Sequence, residues 1–124
     1  MNARGTSLIE TVAALAILGI ALAAAVPAFM LQMDTNTFAE HHSGAVAAAQ
    51  QVMEDLRFQD PSLMPSAGAS LPQTVAAGSE VYEVLTRYCV NTIYCDTNCR
   101  HVRVEVYHDG QEIYAVESVF TLLL

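Results

Sequence analysis

Cys89, Cys95 and Cys99 stand close together in the chain, with His101 two positions beyond the last of them. Grouped thiols can bridge, ligate a metal or attack a substrate, and spacing discriminates among these. Structural zinc sites use paired short spacings that this group lacks, so the three Cys with His101 make a poor zinc set. Nucleophilic catalysis needs a Ser or Cys held beside a base and an orienting acid, and no local arrangement supplies them. No glycine-rich phosphate loop occurs. His41 and His42 are neighbours on what reads as a helix, where adjacent side chains point about 100° apart, so they form a solvated pair and not a shared metal site. His108 is accounted for by the turn that follows it. These absences describe a chain that is not an enzyme, with no catalytic residue, no metal and no cofactor. Two chemistries are left: disulfide formation, and the placement of Glu10 at the threshold of a long apolar run, where an ionised side chain costs about 2–3 kcal/mol or more.

The elements that must position these residues begin with that run. Thr11 to Met33 carries no formal charge and is bracketed by Glu10 and Asp34. As a helix it rises roughly 34 Å, enough to cross a hydrocarbon layer of about 30 Å. It is too long for the apolar part of a cleavable secretory signal, and Val26-Pro27-Ala28 is a poor cleavage site. Arg4 favours a cytoplasmic N-terminus. Pro27 removes a backbone hydrogen bond and is expected to kink the helix or melt it locally.

Beyond Asp34 the helical pattern continues with more polar residues. Phe38, Ala45, Ala49, Val52 and Leu56, flanked by Val46 and Met53, form one apolar stripe. Asp60-Pro61 supplies the stop, because a residue before proline is pushed out of the helical region. The whole helix, from about Leu8 to Phe58, would be roughly 75 Å long, with Gly44 as its weak point. Residues 61–80 read as a connecting loop.

From Val81 the period becomes two. Tyr82, Val84, Tyr88 and Val90 alternate with Glu83, Leu85, Arg87 and Cys89; Val102, Val104 and Val106 alternate with His101, Arg103, Glu105 and Tyr107. These are half-buried antiparallel strands, and a third runs from about Gln111 to Leu123. A two-residue Asp109-Gly110 turn would set Val104 beside Ala115 and draw Glu117 onto the apolar face. A three-residue loop pairs Val104 with Tyr114 and Val102 with Val116, buries Tyr114, Val116 and Phe120 and leaves Glu117 in water, and is preferred for that reason. A sheet this small must cover its apolar face, and the stripe from Phe38 to Leu56 is the only helix to do so. The expected fold is α+β: a long N-terminal helix packed on a small antiparallel sheet of about three strands.

Pairing the apolar faces, Val84 with Val104, sets Cys89 opposite Cys99. If the domain lies outside the cytoplasm a disulfide is expected there, with Cys95 to Cys99 as the alternative. The chain has 124 residues and a net charge of −8, with 13 Asp+Glu against five basic residues, all Arg. That length allows one small domain, and that charge disfavours nucleic acid, which would need a compensating basic patch.

Gly5-Thr6-Ser7-Leu8-Ile9-Glu10, followed by the apolar run with Gly19 and Pro27, resembles the class III prepilin signature of type IV pilins and type II secretion pseudopilins. The resemblance implies cleavage by a membrane prepilin peptidase after Gly5 and N-methylation of Thr6, where the family usually carries Phe. Residues 1–5 would be the leader, residues 6–33 the transmembrane and assembly helix, residues 34–60 the amphipathic helix and residues 81–124 the sheet head. Glu10 becomes the fifth mature residue, which in the family docks each subunit onto the growing filament. An ion pair between a freed amine and a neighbour's Glu10 would compensate both charges, and a subunit out of register would leave the acid unpaired. The head, with Ala48-Ala49-Gln50-Gln51-Val52-Met53-Glu54 followed by Tyr- and Val-rich strands, is similar to PilV-type minor pilins and to minor pseudopilin I of type II secretion. The implied function is a minor pilin of a type IV pilus rather than the main building block, with a role in pilus initiation, and a minor pseudopilin of type II secretion is the alternative. The implied partners are other pilin or pseudopilin subunits, the peptidase, an inner-membrane assembly platform and the lipid bilayer. The implied location is the bacterial inner membrane, single-pass with the head outside the cytoplasm, and then a surface or periplasmic filament. A single-pass anchor displaying a periplasmic binding module is the alternative of another class.

Overall fold

The computed structural model describes residues 7–122. The chain divides into two compact units, Met1–Phe38 and Ala39–Leu124, and helix α1, Leu8–Arg57, contributes to both. In the first unit the described residues are helical from Leu8 onward, and their side chains are uncovered: Leu15, Ile17 and Ile20 are 67%, 68% and 72% exposed. One helix near the N-terminus is thus long and apolar enough to cross a membrane. The helix is unbroken across Pro27, so the expected local melting is not seen.

The second unit is an α+β head. Five antiparallel strands form its sheet: β1 Gly68–Ala69, β2 Gln73–Ala77, β3 Glu80–Tyr88, β4 Cys99–His108 and β5 Gln111–Thr121. Strands β1 and β2 both pair with β3 on the edge away from β4, and β5 closes the other side. Residues 61–80 are therefore not a plain loop. They hold a 3-10 turn at Pro61–Leu63, capped by Asp60, and then the two short strands. Val75 of β2 is buried and Ala77 partly so, a pattern too short to mark the strand, and Pro72 lies just ahead of it at the edge, where a missing donor is tolerated.

The core lies between α1 and one face of the sheet. Ala45, Ala48, Ala49, Val52 and Leu56 from the helix meet Tyr82, Val84, Val102, Val104 and Val106, with Tyr114, Val116 and Phe120 partly buried around them. Phe38, expected on the stripe, is 68% exposed. Gly44 is a close approach and not a weak point: a Cβ there would overlap the Tyr82 hydroxyl and come within 2.8 Å of its ring carbon Cζ. That hydroxyl donates to the His41 carbonyl at 3.1 Å.

Register departs from expectation in two places. Val84 pairs with Val106, and Thr86 with Val104, a slip of two residues from the pairing of Val84 with Val104. A two-residue slip leaves every side chain on its original face, so alternation could not choose between them. Between β4 and β5, His108 pairs with Gln111 around a two-residue turn in which Asp109 and Gly110 take φ of 51° and 78°. That is the left-handed pattern Asp-Gly favours in tight hairpins. A bulge between Val106 and Tyr107 then absorbs Ile113, so Val104 meets Val116 and Val106 meets Tyr114. The bulge restores the face assignment for which the longer loop was preferred, and Glu117 remains about half exposed.

Candidate functional site

Of the residues expected to serve assembly, Gly5 and Thr6 lie outside the described residues. Glu10 is the acid in the first turn of α1, its amide bonded to the Ser7 carbonyl at 2.9 Å. A helix N-terminus favours negative charge, so this position suits a carboxylate whatever it meets. Leu8 and Ile9 beside it are 83% and 77% exposed. Gly19 has open space around it.

The cysteines pair differently from expectation. The disulfide joins Cys89 to Cys95, and Cys99 is a partly buried free thiol that donates to the Tyr94 carbonyl at 3.2 Å. The cause is the same two-residue slip. It sets Cys89 beside His101, to whose carbonyl its amide donates at 2.7 Å, and carries Cys99 down to a bridge with Asp96. Cys89 takes φ of 54°, and the chain turns through Thr92–Tyr94 to bring Cys95 back against it.

On the sheet face away from α1 is a ladder of charges. Glu105, only 6% exposed, accepts from Arg87 at 3.0 Å, from Arg103 at 2.9 Å and from the Tyr107 hydroxyl at 2.9 Å. Burial pushes its carboxyl up, but the hydrogen bonds from Arg87 and Tyr107, the Arg87 charge and the Arg103 bond outweigh that and hold it below the usual range. Arg103 also reaches Glu117 at 2.8 Å, and Glu117 contacts the buried His101 at 3.3 Å. Glu117 is held low by Arg103 and then by His101. The ladder ties β3, β4 and β5 together, and its charges are consumed internally.

A third group gathers at one end of the head. His41 of α1, Glu80 at the start of β3 and His108 at the end of β4 each offer one ligand atom, all within 4.8 Å of one another. The two imidazole rings lie 4.8 Å apart by centroid, and the Tyr82 ring stands 5.3 Å from that of His108. His108 Nδ1 is 3.3 Å from the Val81 carbonyl, which sets the proton on Nδ1, while Nε2 is 3.8 Å from the Glu80 carboxylate and 3.6 Å from that of Asp109. His41 Nδ1 is, among the described residues, the buried side-chain polar atom without a hydrogen-bond partner. Such an atom costs about 1–3 kcal/mol. The two histidines expected to form a solvated pair thus go separate ways, since His42 packs edge-on against Tyr114 at 5.7 Å. Glu80 also lines an open cleft of about 260 Å³ with Glu40, Gly44 and Gly78.

No motif joins His41, Glu80 and His108 in sequence. The available signal is topological: Glu80 follows the Gly78-Ser79 turn and His108 precedes the Asp109-Gly110 turn, so antiparallel pairing of β3 with β4 brings both to one end of the sheet. No family model, no curated protein and no solved structure matches the chain.

Proposed function

We propose that the chain is a minor pilin, made as a prepilin, cut after Gly5, methylated on Thr6 and assembled through its N-terminal helix into a type IV pilus. The observation that carries this reading is one helix with two environments. Leu15, Ile17 and Ile20 are uncovered, whereas Ala45, Ala48 and Val52 of the same helix are buried against a sheet. Apolar surface left open over so many turns requires a second environment, and lipid followed by the helices of neighbouring subunits supplies one. Glu10 at the head of that surface would then find its counter-charge in the freed amine of the next subunit, and Pro27 would be the place where the helix yields. A partner list without nucleic acid is supported by the engagement of Arg57, Arg87 and Arg103 with carboxylates. The prepilin peptidase, an assembly platform and sister subunits are the partners this reading requires.

Intact-mass measurement on the protein from its native host tests it. The expected mass lacks Met1 to Gly5 and carries one added methyl group. A mature chain that retains its initiator methionine, in cells that assemble filaments, would overturn the reading and leave a plain membrane anchor with a displayed head.

A further inference from the structure

We propose that His41, Glu80 and His108 form a binding site for a divalent transition-metal ion of the zinc class. The inference is independent of the filament reading. Two imidazole nitrogens and a carboxylate are borderline donors that suit zinc, nickel, copper or cobalt and not calcium or magnesium, which take all-oxygen shells. The donor atoms lie within 4.8 Å of one another, and donors around a tetrahedral zinc stand roughly 3.4 Å apart, so a small inward movement completes the set. Glu80 can supply that movement, because its side chain is 40% exposed and follows a two-residue turn.

Two further observations point to a cation. His108 holds its Nδ1 proton against the Val81 carbonyl, which leaves the Nε2 lone pair directed at the Glu80 side, the arrangement by which backbone carbonyls orient metal-binding imidazoles. His41 meanwhile buries its Nδ1 without a hydrogen-bond partner, and its ring lies 4.8 Å by centroid from that of His108, tilted by 32°. One divalent ion would take a lone pair from each ring. Three protein ligands leave a fourth position for water, which the open cleft beside Glu80 can deliver. The ion would clamp α1 to the turn-bearing ends of β3 and β4, each a separate stretch of chain.

The test uses the full chain, without an affinity tag, in detergent, stripped with chelator and titrated with zinc chloride by calorimetry and with cobalt chloride by visible absorption. The expected result is uptake of one ion per chain, ligand-field bands typical of low-coordinate cobalt, and a raised melting temperature in zinc. His108→Ala and His41→Ala should each weaken binding about a hundredfold and Glu80→Gln about tenfold, while His42→Ala and Cys99→Ser should leave it unchanged. Glu80→Gln preserves shape at a partly exposed position, so it reports on ligation even if a histidine variant misfolds. No stoichiometric uptake, an equal loss in His42→Ala, dependence on Cys99, or undiminished binding by Glu80→Gln and His108→Ala would overturn the proposal.

Discussion

The residues of α1 before Ala39 and those after it share helical geometry and differ in what covers them. Val12, Leu18 and Leu22 are more than half exposed, whereas Ala48 and Val52 are at most 4% exposed. The side chains that the covered stretch buries are chiefly alanine, Ala45, Ala48 and Ala49, whereas the uncovered stretch exposes large residues such as Leu15, Ile17 and Ile20. Small side chains let a helix approach a sheet of Tyr and Val closely, and large apolar ones suit a helix surface that faces lipid. The first region therefore leaves its apolar surface open, and the second completes a core within the chain.

The largest expected effect that breaks this contrast is at Glu10. Glu10→Ala should abolish incorporation into filaments, scored by shear and immunoblot, while leaving the denaturant midpoint of the head unchanged. Assembly at the wild-type level would remove the reason for an acid at that place. Next is the core. Val104→Ala, at a site with no exposure, should lower unfolding free energy of the head by about 2–3 kcal/mol in urea titrations, and a loss below about 0.5 kcal/mol would mean the helix does not pack there.

One substitution made in both regions sharpens the comparison. Gly44→Ala meets the Tyr82 ring and should cost the head about 1–3 kcal/mol, whereas Gly19→Ala enters open space and should leave head stability within about 0.5 kcal/mol. Equal effects would deny the close approach of Tyr82 to α1.

The smallest effect is electrostatic. Glu105 and Glu117 have folded pKa values below their unfolded ones, as do Asp60, bonded by Ser62, and Asp96, bonded by Thr97. A depressed carboxyl contributes stability that is fully present above its unfolded pKa of about 4 and is lost as pH falls through the folded value. Head stability should thus be level near neutrality and decline below about pH 4.5, and Glu105→Gln should flatten that acid limb. A decline that begins near pH 7 would overturn the assignment of the acid limb to these carboxyls.

Much of this could be read before any coordinates. The helix from Leu8 and its end before Asp60-Pro61 follow from charge-free length, helical period and proline stereochemistry, all local properties. The faces of β3, β4 and β5 follow from alternation, and Tyr82, Val84, Val102 and Val104 lie inside as alternation requires. The edge strands β1 and β2 were not legible, because their hydrogen bonds to β3 do not depend on side-chain pattern and only Val75 and, in part, Ala77 turn inward.

What the chain by itself determined is periodicity: where it coils, where it extends, and which face of each strand is apolar. The tertiary structure alone decided phase. A strand moved by two residues buries the same side chains, so only packing selected Val84 with Val106, and with that choice came Cys89 with Cys95 in place of Cys99. The convergence of His41, Glu80 and His108 was decided the same way, since residues far apart in sequence meet only once register and turn length are fixed.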